Sequence, residues 1–401
     1  MPQRARRILL SAFGDPGHAF PAIALGRALR RRGHEVWLET WERWRGVVEG
    51  EGIGFAPAPE YPVFPTREHP LSPYDAAARA SAVTRRLVRE VDPELVVADI
   101  LTLAAALAAE LERRPWASLV PHLLPTPTPG SPPFAIGARP PRTAAGAALW
   151  RLLDPLTTMG ARRGRDELNA VRARVGLRPL PHLHGGLSQR LALVATFPHL
   201  EPPSPGGGRG ATHVCGPLLW EQPGGEAELP AGSAPLVLVA PSTSQDPRQR
   251  LLTAALEGLA GEPVRVLAAL GDRGPPAGVV VPPRARLARW VSYARVMPHC
   301  AVVVCHGGHG TVARALACGV PVVVCPAGGD MAETGARVAR AGVGVSVPGR
   351  LASARGVRLA VRAVLARSGC RARAGELGAW ASEHDGGETA AQALETLIRD
   401  R

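Results

Sequence analysis

His306-Gly307-Gly308-His309-Gly310-Thr311 follows the apolar run Ala301-Val302-Val303-Val304-Cys305 and precedes an alanine-rich stretch over 312–318. A β-branched run that ends in a glycine-rich turn and then takes on helical composition reads as strand, tight loop, helix. The amides at such a helix start have no intrahelical partner, and the positive end of the helix dipole lies with them. Together they make an anion site, most often one for phosphate. The glycines let backbone approach phosphate oxygens, and His306 and Thr311 add side-chain donors. Alone the loop is a weak signal, so its meaning depends on its flanks.

Around it the second half of the chain alternates. Strands are expected over 236–240, 264–268, 279–281, 301–305, 320–325 and 344–347, and helices over 248–259, 312–317, 333–341 and 353–366. The first half follows the same rule. An apolar strand over 7–13 leads through the turn Gly14-Asp15-Pro16-Gly17-His18 into a helix over 20–32, which stops at Gly33 before a strand over 35–39. With no hairpin signal, that unit implies parallel strands and a right-handed crossover. A strand over 94–98 ends at Asp99 and is followed by a helix over 101–113 and a strand over 116–120. The proline-rich stretch 121–142 has no period and reads as a long functional loop. Helix broken near Asp154-Pro155 is expected over 144–175, and strands over 191–195 and 213–217.

Composition shifts at 202–208 and again at 221–232, both rich in Pro and Gly. The expected division is a first domain over 1–217, a linker over 218–232, a second domain over 233–385, and a helix over 386–401 that returns to the first. The fold class is α/β, with two successive doubly wound parallel-sheet domains. Ligands of such sheets bind beyond the carboxyl ends of the strands at a topological switch point, here in a cleft between facing domains.

Composition narrows the function. A chain of 401 residues with 46% hydrophobic and 20% charged residues is too large for one ordinary core and too apolar for disorder. All 47 Lys+Arg residues are Arg, and the formal charge is +13. The arginines are dispersed, and 4% aromatic content supplies few stacking platforms, which speaks against nucleic acid. A solvated basic surface, with loose attraction to membrane headgroups, is the alternative. The apolar N-terminal run is too short for a signal peptide and none approaches a membrane span, so a cytoplasmic location is expected. Cys215, Cys300, Cys305, Cys318, Cys325 and Cys370 lack metal or disulfide spacing and read as small hydrophobes. His182-Leu183-His184 reads as polar loop rather than a metal pair.

His18 and Asp99 carry the remaining chemistry. Both lie at carboxyl ends of parallel strands, so the carboxylate can reach the imidazole. They read either as structural residues, a strand-end histidine and a helix N-cap, or as a base and its orienter. Neither glycine turn has the Gly-x-Gly-x-x-Gly spacing of a dinucleotide site, and with no Lys in the chain a P-loop is excluded.

Gly14-Asp15-Pro16-Gly17-His18-Ala19-Phe20-Pro21 has the form Gly-x-x-Gly-His-x-x-Pro. It resembles the N-terminal motif of GT-B-fold glycosyltransferases, best those of family 1 that decorate antibiotics and other natural products. Trp290-Val291, the His306 loop, Gly319-Val320-Pro321 and 326–330 resemble the same family, as does His213-Val214-Cys215-Gly216-Pro217. The resemblance implies two Rossmann-like domains and an inverting, metal-independent transfer from a nucleotide sugar to a hydrophobic small-molecule acceptor. It implies that His18 is the base and Asp99 its orienter. Trp290 and Val291 match the nucleobase site, and Ser242, Thr243, His306, Gly308 and Thr311 match the diphosphate contacts. Asp330 matches a residue that binds sugar hydroxyls, with Met331 beside it. A homodimer is compatible with this reading.

Two positions depart from the family pattern. Arg314 stands where many relatives carry a ribose-gripping Glu, and Met331 where many glucose users carry Gln. Loss of both polar groups favours a dTDP-deoxysugar over UDP-glucose as donor, although Met331 also reads as simple cavity filling. The acceptor is expected against the loops over 57–74 and 121–141. A lipid-linked acceptor, a sugar-nucleotide epimerase and a non-catalytic nucleotide binder are the competing readings.

Overall fold

The computed structural model describes residues 4–59, 73–139, 141, 143–181, 186–201, 212–225, 228–242, 246–271, 273–276 and 278–400. The chain forms two compact units. Unit 1 comprises Met1–Ser131, Thr143–Trp220 and Asp385–Arg401, and unit 2 comprises Pro132–Arg142 and Glu221–His384.

Unit 1 begins with β1 (Arg7–Ser11), α1 (Pro16–Arg31), β2 (Glu35–Thr40), α2 (Arg45–Gly50) and β3 (Gly54–Pro57). It continues with α3 (Pro73–Val91), β4 (Leu95–Asp99), α4 (Leu103–Leu111) and β5 (Trp116–Val120). The helices α5 (Ala144–Thr157) and α6 (Met159–Arg174) lead to β6 (Ala192–Val194) and β7 (Thr212–Val214). Its seven strands are ordered β3-β2-β1-β4-β5-β6-β7. Every pairing is parallel. The chain moves outward from β1 to β3 and then returns to the other side of β1, so the switch point lies between β1 and β4. Ser11 pairs with Ala98 there, which puts Asp99 one residue beyond the end of β1.

Two local expectations are corrected. The helix expected from residue 20 begins at Pro16, so His18 lies in the first turn of α1 rather than in a loop. Proline at the helix start has its φ preset and no amide to leave unsatisfied, and the Ala19 amide closes the turn on the Asp15 carbonyl at 2.9 Å. The break expected near Asp154-Pro155 falls at Thr158, because the Asp154 carbonyl accepts both the Thr158 amide (2.9 Å) and its hydroxyl (2.6 Å) and carries the helix past the proline.

Unit 2 contains β8 (Leu236–Ala240), α7 (Arg250–Leu259), β9 (Arg265–Ala269), β10 (Ala285–Ala288), α8 (Tyr293–Val296) and β11 (Val302–Cys305). Then follow α9 (His309–Ala317), β12 (Val322–Val324), α10 (Met331–Ala341), β13 (Gly344–Ser346), α11 (Ala354–Ala366) and α12 (Ser368–Glu383). The strand order is β10-β9-β8-β11-β12-β13, again all parallel, with its switch point between β8 and β11. No strand forms over 279–281. Val280 is 81% exposed, and the chain pairs with β9 only after Pro282-Pro283, where Ala285 and Leu287 turn toward the core.

The stretch 218–232 divides at Trp220 and Glu221. The Trp220 indole donates to Glu51 at 2.7 Å within unit 1, whereas Glu221 accepts the amides of Tyr293 and Ala294 at 2.5 and 3.0 Å within unit 2. The loop 121–142 divides at Ser131, and at Gly137 the backbone lies so close to Ala332 that a Cβ would come within 2.9 Å. The helix α13 (Gly386–Arg399) belongs to unit 1. Its Ala390, Leu394, Leu397 and Ile398 share a core with Ile8, Leu10 and Ile23. Burial of each large apolar side chain there contributes roughly 1.5–3 kcal/mol. Glu395 fastens the helix by accepting from Arg32 (2.7 Å) and pairing with His34 (2.9 Å). Among the described residues no helix is long and apolar enough to cross a membrane.

Candidate active site

At the switch point of unit 1, His18 Nδ1 lies 2.7 Å from Asp99 Oδ2 and 2.9 Å from Oδ1. The Asp99 side chain is fully buried and His18 is partly open. Oδ1 also accepts the Leu101 amide at 2.8 Å, which fixes the carboxylate plane. A carboxylate can only accept from a ring nitrogen, so Nδ1 carries the proton and Nε2 keeps its lone pair. The carboxylate then stabilises the imidazolium that forms when Nε2 takes a proton.

The loop that delivers His18 is clamped from β2. A Cβ on Gly14 would fall 2.0 Å from the Trp41 ring, so only glycine allows this closeness. The Gly14 carbonyl accepts from the Trp44 indole (2.7 Å) and Arg43 (2.6 Å), and the Arg43 guanidinium lies 4.8 Å from both tryptophan rings. Phe13 meets Trp41 at a 4.9 Å centroid separation and His18 at 6.0 Å, both edge to face. Beneath, buried Glu39 accepts from Ser11 (2.7 Å) and Thr84 (2.8 Å), and burial raises its pKa despite these bonds.

At the switch point of unit 2, His306 follows β11 and its Nδ1 lies 3.3 Å from the Ala240 carbonyl at the end of β8. A carbonyl only accepts, so here too Nδ1 donates. Burial lowers the His306 pKa, opposed by that bond and by Asp330 and Asp246. Gly307 has φ +92°, where a Cβ would strike Val324 and Met331. A Cβ on Gly308 would lie 2.5 Å from His306 Nε2. Gly308 is the N-cap of α9, so the loop presents the open amides of that helix beside the His306 ring, with Thr311 in its first turn. Ser242 follows β8, and its carbonyl accepts from Arg273 at 2.5 Å. Thr243 lies outside the described residues, as do His182 and His184 and most of the loop over 57–74.

Trp290 is 48% exposed just beyond β10, and Val291 beside it is buried. The strand order puts β10 three positions from β11, roughly 14 Å at ~4.8 Å per strand. Asp330 is the N-cap of α10 and Met331 its first residue, next to Gly307. Arg314 projects from α9, where burial lowers its pKa and Glu221 opposes the shift. Burial pushes the thiols of Cys215, Cys300, Cys305 and Cys325 up to about 12, so they are inert at neutral pH. Among the described residues no cluster of His, Cys, Asp or Glu could hold a metal.

Sequence reasoning missed Phe13, the Trp41–Trp44 clamp, Glu39, Glu221 and Arg273. Position at a strand's carboxyl end was a usable signal for Phe13 and Trp41. Nothing in the sequence pairs Glu221 with the start of α8.

Two parallel Rossmann-like sheets, each with polar groups at its switch point, are the framework of a GT-B glycosyltransferase. Residues 254–396 match the family model described as Erythromycin biosynthesis protein CIII-like, C-terminal domain. The O-mycaminosyltylonolide 6-deoxyallosyltransferase of Streptomyces fradiae is 30% identical, over 98% of this chain and 98% of its own. The glycosyltransferase of kitacinnamycin superposes with a TM-score of 0.79 at 21% identity, covering 99% of this chain and 100% of that one. Glycosyltransferase VinC in complex with dTDP gives a TM-score of 0.68 at 20% identity, covering 98% and 100%. The chain belongs to the natural-product glycosyltransferases of antibiotic biosynthesis.

Proposed function

We propose that this enzyme moves a deoxysugar from a dTDP-sugar to a hydroxyl of an apolar natural-product acceptor, with inversion at the anomeric carbon and without a metal. The bond between His18 and Asp99 carries the reading. Nε2 of His18 takes the acceptor proton as the acceptor oxygen attacks the anomeric carbon. The bond from that carbon to the diphosphate oxygen breaks, and the nucleoside diphosphate leaves with the electron pair. A single displacement of this kind inverts configuration. The leaving charge falls on the amides at the start of α9 and on His306, which supply the stabilisation a metal would otherwise give. Trp290 and Val291 receive the base, Ser242, Thr243, Gly308 and Thr311 attend the phosphates, and Asp330 addresses the sugar. Arg314 and Met331 support a donor with fewer hydroxyls, as do the deoxyallosyl group named for the Streptomyces fradiae relative and the dTDP held by VinC. The reading places the reaction in the cytoplasm.

One assay tests it: transfer to a fixed hydroxyanthraquinone acceptor from dTDP-deoxysugars and from UDP-glucose, by the native chain and by His18→Ala. The dTDP-deoxysugars should win, the product should have inverted anomeric configuration, and His18→Ala should lose about 10²–10⁴ in rate while nucleotide affinity holds. Preference for UDP-glucose defeats the donor assignment. Transfer that survives His18→Ala defeats the base.

A further inference from the structure

We propose that α5 is a membrane-docking helix, whose outward apolar stripe enters the surface of an anionic bilayer while the arginines of the next turn meet the lipid headgroups. The proposal goes beyond the transfer reaction and depends on neither the donor nor the base assignment. None of the fourteen residues of α5 is buried. Leu149, Leu152 and Leu156 are 59, 78 and 67% exposed and stand three and four positions apart, so they form one stripe along the helix. Met159, the first residue of α6 beyond Thr158, adds a fourth exposed apolar side chain. The opposite face rests on unit 1. The Gly130 amide donates to Asp154 Oδ1 at 3.2 Å, and a Cβ on Gly130 would lie 3.1 Å from both the Ala147 carbonyl oxygen and Arg151 Cγ. Ala147, Arg151 and Asp154 lie roughly half a turn around the helix from the leucines. A surface helix ordinarily turns its apolar face to the core and its polar face to water. α5 does the reverse, and the apolar area it leaves in water is recovered by transfer to a bilayer interface.

Charge selects what covers the stripe. The formal charge of the chain is +13. Over 143–167 the acids are Asp154, Asp166 and Glu167, and each is engaged: Asp154 by the Gly130 amide, Asp166 by Arg165 at 2.8 Å and Glu167 by Arg163 at 2.9 Å. Arg151 and Arg162 are exposed and form no ion pair among the described residues, and the Arg163 side chain is 82% exposed despite its partner. The stripe therefore runs into a basic turn. Apolar burial combined with clustered positive charge is what holds a peripheral protein on anionic lipid. A second copy of the chain is the poorer fit. It would bring like charge to like charge, and four apolar side chains are far fewer than the roughly 20–30 residues a side of a stable protein interface.

The test is co-sedimentation of the full chain with vesicles of phosphatidylcholine alone and with vesicles of equal parts phosphatidylcholine and phosphatidylglycerol. The native chain should bind the mixed vesicles at least about tenfold more tightly than the neutral ones, and added salt should weaken that binding. Leu152→Gln combined with Leu156→Gln adds no charge and should cost about tenfold on the mixed vesicles through lost apolar contact. Arg162→Gln combined with Arg163→Gln should cost about tenfold there and nothing on the neutral vesicles. All four positions are exposed, so both variants should melt with the native chain. Failure of the native chain to bind the mixed vesicles overturns the proposal. Binding that survives the leucine changes overturns it too, because the basic surface alone would then be the anchor. A dimer that forms without lipid and is lost with the leucines, read by sedimentation velocity, assigns the face to a second copy instead. If the double leucine variant does not fold, Leu152→Gln decides alone, with unchanged binding as the overturning result.

Discussion

His18 and His306 are held alike and made into different reagents. Each follows the first strand or its neighbour at a switch point, and each gives its Nδ1 proton to an oxygen at the end of an adjacent strand. The acceptor differs. His18 donates to a buried carboxylate, so the positive charge that arrives with a second proton is met by a fixed negative one. His306 donates to a neutral carbonyl and is partly buried, so its charged form is disfavoured. In the proposed reaction the first ring takes a proton from the acceptor. In the same proposal the second, whose pKa burial lowers, gains its proton when the diphosphate binds beside it. On that proposal one oxygen decides whether the same side chain serves as a base or as a conditional cation.

The contrast breaks most sharply at Asp99. In Asp99→Asn the amide oxygen can still accept from Nδ1, so the ring stays in place and only the charge is lost. We expect kcat to fall by about 10²–10⁴, read in steady-state transfer with dTDP affinity as the control. A loss under tenfold would mean that the carboxylate only orients.

The next effect is at His306. For its Nε2 to donate to a diphosphate, the ring must gain a proton, so binding and protonation are linked. With the unliganded pKa held below 6.5, dTDP should bind more tightly as pH falls from 8 toward 6, by at most about tenfold per unit. The unliganded fold has the opposite sign. The unfolded ring protonates near 6.5, so the His306 contribution to stability is complete above that value and is lost as pH falls through the lower folded one. Calorimetry in two buffers of different ionisation enthalpy reads the proton taken up on binding. His306→Gln should weaken dTDP by about 10–100-fold and remove that uptake, the difference between the two chains cancelling the titration of the diphosphate itself. Equal uptake in both chains would place the proton elsewhere.

The smallest effect sharpens the comparison within unit 1. Glu39 is another buried carboxyl of unit 1, but its partners are hydroxyls and no cation faces it in those bonds. Burial raises its folded pKa above 4.5, so its contribution is present below 4.5 and is lost as pH rises through the folded value. Glu39→Gln should therefore melt about 2–4 °C higher than the native chain at pH 8 and no higher at pH 4.5. A lower melting temperature at pH 8 would show that the ionised form is wanted there.

What the sequence disclosed followed burial. β8 and β11 are buried on both faces and read as unbroken apolar runs, so the strand, the loop and the His306 site were visible together. β10 was misplaced because an edge strand is paired on one side and keeps Arg286 among its small apolar residues, while the more apolar Val279-Val280-Val281 lies largely exposed. The start of α1 is hard to read because glycine and proline also punctuate turns, although proline is well suited to a helix start. His18 and Asp99 were legible as strand-end residues, and their 2.7 Å contact needed the strand order β1-β4, which no local pattern specifies. The helices α3 and α12 and the strand β3 were not anticipated. In α12 only Cys370, Ala374 and Leu377 are buried, too narrow a stripe to stand out.

The placement of α13 sets an order of manufacture. Residues 386–399 emerge from the ribosome after the whole of 221–384, yet Ala390, Leu394 and Ile398 complete the core that Ile8 and Leu10 begin. Until then Arg32 and His34, just past the end of α1, lack Glu395, and the apolar face that α13 covers stands open. The sheet translated first is the one finished last.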